Sequence, residues 1–307
     1  MDKENKVKHL SDFFQYKKLS KYEGLYGKLP CRAPTTYVGV EIELEKVSNQ
    51  VEFVPSSFNM LDDGSLKEQG KEFVTVPIKF QYLEQELIRL NKSLKKFSLS
   101  SRCSVHVHMN ARDFTLEELE VFIMLYCIFE KSLFNLSGNR WKNNFCVPLY
   151  SYDPAVSKFL SRIHLKEVSS ISWYKYFALN LSPIFGGESK HKLGTIEFRH
   201  MEATMDVERI INWINFIVSL KISAKNIKKI ELLSMIKHLN TSSEYKVLAR
   251  SVFKTWSSQI LDQPTFKDDV ESCITSLKNV CYDAGYFKSS EIASKTEIPF
   301  QLLEGVE

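Results

Sequence analysis

Gly39-Val40-Glu41-Ile42-Glu43-Leu44-Glu45 alternates aliphatic and acidic side chains without a break. A strand turns successive side chains to opposite faces, so residues two apart share a face. Val40, Ile42 and Leu44 are therefore expected on a core, and Glu41, Glu43 and Glu45 on water or a ligand. The predicted strand runs over 37–46. Such half-buried alternation points to an antiparallel sheet with one packed face.

Two later segments repeat the device. Ser104-Val105-His106-Val107-His108-Met109-Asn110 sets two imidazoles on one face and two valines on the other. In Thr195-Ile196-Glu197-Phe198-Arg199-His200-Met201, Glu197 and Arg199 share a face and His200 lies opposite. Carboxylates, imidazoles and a guanidinium along one sheet face make a poor core. They make a good cradle for divalent metals and phosphates.

Working outward, Leu61-Asp62-Asp63-Gly64-Ser65-Leu66 reads as a turn, and a strand over 72–78 follows, ended by Pro77. Helical spacing runs over 80–97. Thr115 and Glu118 form a capping box that opens a long apolar helix to about Leu136, with Gly138 as its terminator. Residues 139–150 form a loop rich in Arg, Asn and aromatics, and 154–170 is a predicted helix. Strands are expected over 176–184 and 193–201, separated by the Gly186-Gly187 loop. From Asp206 the character changes to helices over 207–220, 226–239 and 243–260, with a mixed, polar tail beyond Asp262.

The fold class is thus α+β, an antiparallel sheet with helices on one face. Its organisation divides into an N-terminal arm (1–34), a sheet-bearing domain (35–220) and a helical C-terminal part (221–307) packed on it.

The 307 residues are 44% hydrophobic and 25% charged, with a formal charge of +4. A chain of this size buries a large core. The small charge makes no case for nucleic-acid binding, which needs basic residues gathered on one face. The longest apolar run, 121–129, is far short of the roughly 20 residues of a membrane helix. Six scattered cysteines without zinc-like spacing, and a charged N-terminus, lead us to expect a cytoplasmic protein.

Each candidate residue has a plain reading beside the functional one. Glu41 and Glu43, with Glu72 one strand away, are either solvated surface or hard oxygen ligands for Mg²⁺ or Mn²⁺. His106 and His108 are either structural or bind a metal or phosphate. Glu197 and Arg199 are either partners in a cross-strand salt bridge or a metal ligand beside a fork for carboxylate or phosphate. Arg140 is either an exposed loop residue or a phosphate clamp. His200 is assigned a structural place, and His9, His164, His191 and His238 a surface one without partners.

Together GVEIELE, DDGSL, KEFVTVP, CSVHVHMN, GNRWKNNFCVPL, KYFALNL and GTIEFRHMEAT resemble the amidoligase family of carboxylate–amine ligases, over roughly residues 36–217. The resemblance implies a glutamine synthetase-like catalytic fold whose concave sheet face binds ATP and two or more divalent ions. It implies activation of a carboxylate as an acyl phosphate, which an amine then attacks. Carried over, Glu41, Glu43, Glu72, His106 and Glu197 are metal ligands and His108 approaches the ATP phosphates. Arg199 holds substrate carboxylate or phosphate, and Arg140 contacts phosphate. Where relatives often carry a Cys-Gly pair, this chain has Cys103-Ser104, which affects how closely the backbone nears the nucleotide.

The expected partners are small-molecule or peptide carboxylates and amines, with no nucleic acid and no membrane. The C-terminal part selects substrate or builds a homo-oligomer. Alternatives are a guanidino-kinase-like phosphotransferase, a metal-dependent hydrolase and a non-catalytic nucleotide- or peptide-binding module.

Overall fold

The structure, a computed structural model, describes residues 8–16, 37–47, 51, 53–138, 140–151, 153–186 and 192–287. Much of the expected arm, His191, part of the Gly186-Gly187 loop and the last twenty residues lie outside the described residues.

The chain is α+β. One antiparallel sheet holds β1 (Tyr37–Leu44), β2 (Phe58–Asp62), β3 (Lys71–Thr75), β5 (Ser104–Asn110), β6 (Leu179–Asn180) and β7 (Thr195–Glu202), in the order β2-β3-β1-β5-β7-β6. The two-residue β4 (Ile78–Lys79) pairs with the start of β1. The central strands β1 and β5 bury Val40, Ile42, Val105 and Val107 completely, as their alternation predicts.

Helices cover that apolar face. The central one, α3 (Leu116–Ser137), packs on β7. Its cap is the predicted one: Glu118 N donates to Thr115 Oγ1 at 3.0 Å, and Thr115 N donates to a Glu118 carboxylate oxygen at 2.6 Å. Gly138 ends it with φ 108°, a backbone conformation that costs a side-chain-bearing residue strain. The helix is buried almost all round, because α4 (Asp153–His164), α6 (Val207–Asn226), α7 (Lys229–His238) and α10 (Phe266–Asp283) surround it. The remaining helices are α1 (Leu10–Phe13), α2 (Phe80–Ser93), α5 (Ser182–Phe185), α8 (Ser242–Phe253) and α9 (Ser257–Leu261). Among the described residues no helix is long and apolar enough to cross a membrane.

Several expectations need correction. The strand over 176–184 is only β6, because Pro183 stands in the first turn of α5, where its missing N–H costs nothing. The expected strand over 72–78 divides into β3 and β4 around Val76-Pro77. β2 was not foreseen: after Phe58 its residues are exposed, so no apolar alternation marks it. The tail beyond Asp262 contains α10, whose buried Val270, Cys273, Ile274, Leu277, Val280 and Cys281 follow a helical period. His9 and His164 do have partners. His9 Nδ1 lies 2.9 Å from the Asp113 carbonyl, and His164 Nδ1 lies 3.8 Å from Glu120.

A β-bulge shapes the face opposite the helices. Val105 pairs with Met201 and Val107 with Phe198, so β7 carries one extra residue between these pairs. The bulge lets Phe198, His200 and Met201 all enter the core while Glu197 and Arg199 stay on the other face.

Candidate active site

Strand pairing brings distant acids and imidazoles together. Glu41 on β1 stands opposite His106 on β5, and Glu43 stands opposite Glu72 on β3. On the other side of β5, His108 is opposite Glu197, which in turn faces Asn180 on β6. Glu41, Glu43, Glu72, His106, His108 and Glu197 thus occupy neighbouring positions on four adjacent strands.

The side chains close the arrangement. Glu41 Oε2 lies 3.3 Å from His106 Nδ1, and Glu41 Oε1 lies 3.0 Å from His108 Nε2. Glu197 Oε1 lies 3.6 Å from His106 Nδ1. Arg199 Nη1 makes a charge-assisted hydrogen bond to the same Glu197 oxygen, while Asn180 Nδ2 donates to Glu197 Oε2 at 2.6 Å. Arg199 Nε donates to the Phe145 carbonyl at 3.0 Å, so two anchors hold the guanidinium.

Ser104, Thr195 and Asn180 orient the ligand candidates, and Asp63 joins their acidic end. Ser104 Oγ donates to Glu43 Oε2 and sits 2.8 Å from His106 Nε2. With its proton on Glu43, the serine oxygen accepts from His106 Nε2–H. In the neutral ring, Nδ1 is then bare and faces the carboxylates of Glu41 and Glu197. His108 Nδ1 lies 3.0 Å from Thr195 Oγ1. Its Nε2 is buried against Glu41 Oε1, with which the protonated ring forms an ion pair. The sequence signal for Ser104 and Thr195 was their place on the polar face of strands already marked. Asn180 had none beyond lying in the KYFALNL motif.

The electrostatics follow from this crowding. Burial alone would raise the Glu41 carboxyl, but the charge of His108 leads the interactions that outweigh it and hold the group well below the usual carboxylate range. Burial would lower His108, yet Glu41 and Glu197 push it up to about 9. Burial, then the charges of Glu41, Glu43 and Asp63, push the Glu72 carboxyl up to about 8. A site that protonates its own carboxylates carries more negative charge than its side chains can balance.

That excess fits a bound cation. Three overlapping sets each place their ligand atoms within 4.8 Å of one another: Glu41, His108 and Glu197; Glu41, Glu72 and His106; Glu43, Asp63 and Glu72. The donors are mostly carboxylate oxygens with two imidazole nitrogens, a set suited to Mg²⁺ or Mn²⁺. The His106 and His108 nitrogens that face Glu41 are the imidazole donors such an ion would take.

Arg140 is drawn in from its loop. It is 9% exposed, and Nη1 donates to the carbonyls of Arg199 at 3.0 Å and Met201 at 3.3 Å. The structure therefore shows it fastening the loop to β7. It also lines a cleft of about 640 Å³ with Ser100, Ser101, Lys142 and Asn143. His200 is fully buried and Tyr126 Oη lies 2.7 Å from its Nε2, as befits a structural residue.

A model of the family described as "Putative amidoligase enzyme" matches residues 45–221, more than half of the chain. The chain belongs to the amidoligase family. The amidoligase match begins at Glu45, just after the Glu41 and Glu43 pair, and takes in β2 through β7. These two glutamates reach the amidoligase region through the pairing of β1 with β3 and β5. Comparison with curated proteins finds no match.

Proposed function

We propose that this amidoligase is an ATP- and Mg²⁺-dependent carboxylate–amine ligase with a glutamine synthetase-like catalytic fold. The observation that carries the reading is the convergence of Glu41, His106, His108 and Glu197 on one sheet face with Arg199 fixed beside them.

In this reading a substrate carboxylate oxygen attacks the terminal phosphorus of ATP. The bond to the bridging oxygen breaks and ADP leaves, giving an acyl phosphate. The amine nitrogen then attacks the acyl carbon, loses a proton and expels inorganic phosphate. Divalent ions held by Glu41, Glu43, Glu72, His106 and Glu197 would neutralise the phosphate charge. Arg199 would hold the anionic oxygens that the acyl group and phosphate present, being a fixed fork of donors. His108 and Arg140 would face the nucleotide phosphates. Phosphoryl transfer depends mainly on positioning and charge stabilisation, which suits a site made of rigid strand residues. The buried thiols Cys103, Cys146, Cys273 and Cys281 fit work in a reducing cytoplasm.

The test is calorimetric titration of a non-hydrolysable ATP analogue with Mg²⁺ and again with EDTA. Micromolar binding that disappears with EDTA supports the reading, and Glu197→Gln should then abolish ADP release in the presence of a carboxylate and an amine. Absence of binding in both titrations points to a metal-dependent hydrolase or a binding module. A stable phosphorylated product formed without an amine would instead indicate a kinase.

A further inference from the structure

Beside Arg199 the surface carries a chain of touching aromatic rings. Phe145 packs edge-to-face on Tyr176 with centroids 5.3 Å apart, and Tyr176 does the same with Tyr174 at 5.4 Å. Phe145 is 48% exposed and Tyr174 52%. Isolated exposed aromatics need no explanation, but rings in contact at the rim of a charged cleft form a patch.

The patch is held firmly. Val147 N donates to the Tyr176 carbonyl at 2.8 Å, Ala178 N to the Val147 carbonyl at 2.8 Å, and Arg199 N to the Ala178 carbonyl at 2.8 Å. The loop bearing Phe145 and the segment bearing Tyr174 and Tyr176 are thereby laced to β7. Arg199 connects them to the candidate active site. Its guanidinium lies 5.9 Å from the centre of the Tyr176 ring while it bonds both Glu197 and the Phe145 carbonyl. Lys175 Nζ lies 5.1 Å from the same ring centre.

Resting on the ligase reading, we propose that the Phe145–Tyr176–Tyr174 rim binds the acyl substrate and selects a carboxylic acid carrying an aromatic or similarly flat apolar group. Two arguments choose this occupant. The rim is separated from the candidate metal ligand Glu197 by one arginine side chain. A purine is separated from its terminal phosphate by a ribose and two further phosphates, so the base belongs farther from the reacting centre. Arg199 and Lys175 also place positive charge over the central Tyr176 ring, which disfavours a protonated amine and favours a carboxylate. The aromatic faces then supply contact area at small entropic cost, and the cations orient the acid toward the cleft.

Ligand-detected NMR titration of the full chain with Mg²⁺ tests this with three probes: N-acetyl-L-phenylalanine, N-acetylglycine and phenethylamine. The expected order is N-acetyl-L-phenylalanine tightest, with Tyr174→Ala and Phe145→Ala each weakening it about three- to tenfold. Both rings are half-exposed, so the variants should keep the wild-type melting temperature, and both should bind the ATP analogue as the wild type does. Equal binding of the two acids, or tighter binding of phenethylamine, overturns the proposal. So does a loss of ATP-analogue affinity in Tyr174→Ala, which would make the rim a base subsite. If no probe separates the variants while the analogue still binds with Mg²⁺, the rim assignment fails and the ligase reading stands.

Discussion

Ser104 Oγ lies 2.8 Å from His106 Nε2 and donates its own proton to Glu43, so one hydroxyl sets the tautomer of the imidazole. The consequence is felt on the opposite ring nitrogen, which is left bare toward Glu41 and Glu197. Replacing Ser104 by Ala removes this control without touching a candidate ligand. Mn²⁺ affinity, read by calorimetry or by the EPR signal of the free ion, should fall about tenfold or more. Unchanged Mn²⁺ affinity would show that the His106 tautomer does not depend on the serine.

Asn180 plays the matching part for Glu197, donating to the oxygen that Arg199 leaves free. In Asn180→Ala the carboxylate loses one of its two anchors and can rotate. Mn²⁺ affinity should again drop by about tenfold, with little change in the urea midpoint because β6 is short. A loss of folding without a selective loss of metal would assign Asn180 to stability alone.

His200 should make the protein acid-sensitive. Burial, with Arg140 adding to it, depresses its pKa to about 3 from an ordinary value of 6.5. A group depressed in the folded state contributes stability that is full above its unfolded pKa and lost as pH falls. The loss therefore begins below pH 6.5 and continues toward 3. Between pH 6.5 and pH 4 it should reach on the order of 2–3 kcal/mol. Urea unfolding of His200→Phe alongside the wild type isolates the effect, and the variant should show a flatter dependence over this window.

Lys221 is fully buried and donates to Asp113 Oδ1 at 2.6 Å and to the Asn110 carbonyl, tying α6 to the connection between β5 and α3. Burial lowers its pKa to about 8, against the pull of Asp113. Lys221→Met removes the nearer of the two lysines that pair with Asp113, which should cost about 3 kcal/mol in chemical unfolding. A neutral outcome would mean that Lys225, 3.5 Å from Asp113, takes over the pairing.

Legibility in the sequence followed the physics of each element. The capping box of Thr115 and Glu118 was readable because its bonds join residues three apart. β2 was unreadable because an edge strand with exposed side chains has no burial pattern to display. Asn180 could not be picked out, since an isolated amide between leucines carries no periodic signal.

By itself the sequence determined which side chains share a strand face: Glu41 with Glu43, His106 with His108, and Glu197 with Arg199. That follows from the two-residue period of an extended chain, a local property. Tertiary structure alone decided that β1 lies between β3 and β5 and that β7 lies beside β5. It also decided that a bulge brings Met201 into the core directly after His200, which alternation alone does not give. Strand order and register depend on hydrogen bonding and burial between segments far apart in the chain, and no local spacing encodes them. The candidate site exists because those distant pairings put Glu41 within reach of two histidines and set Glu197 beside both.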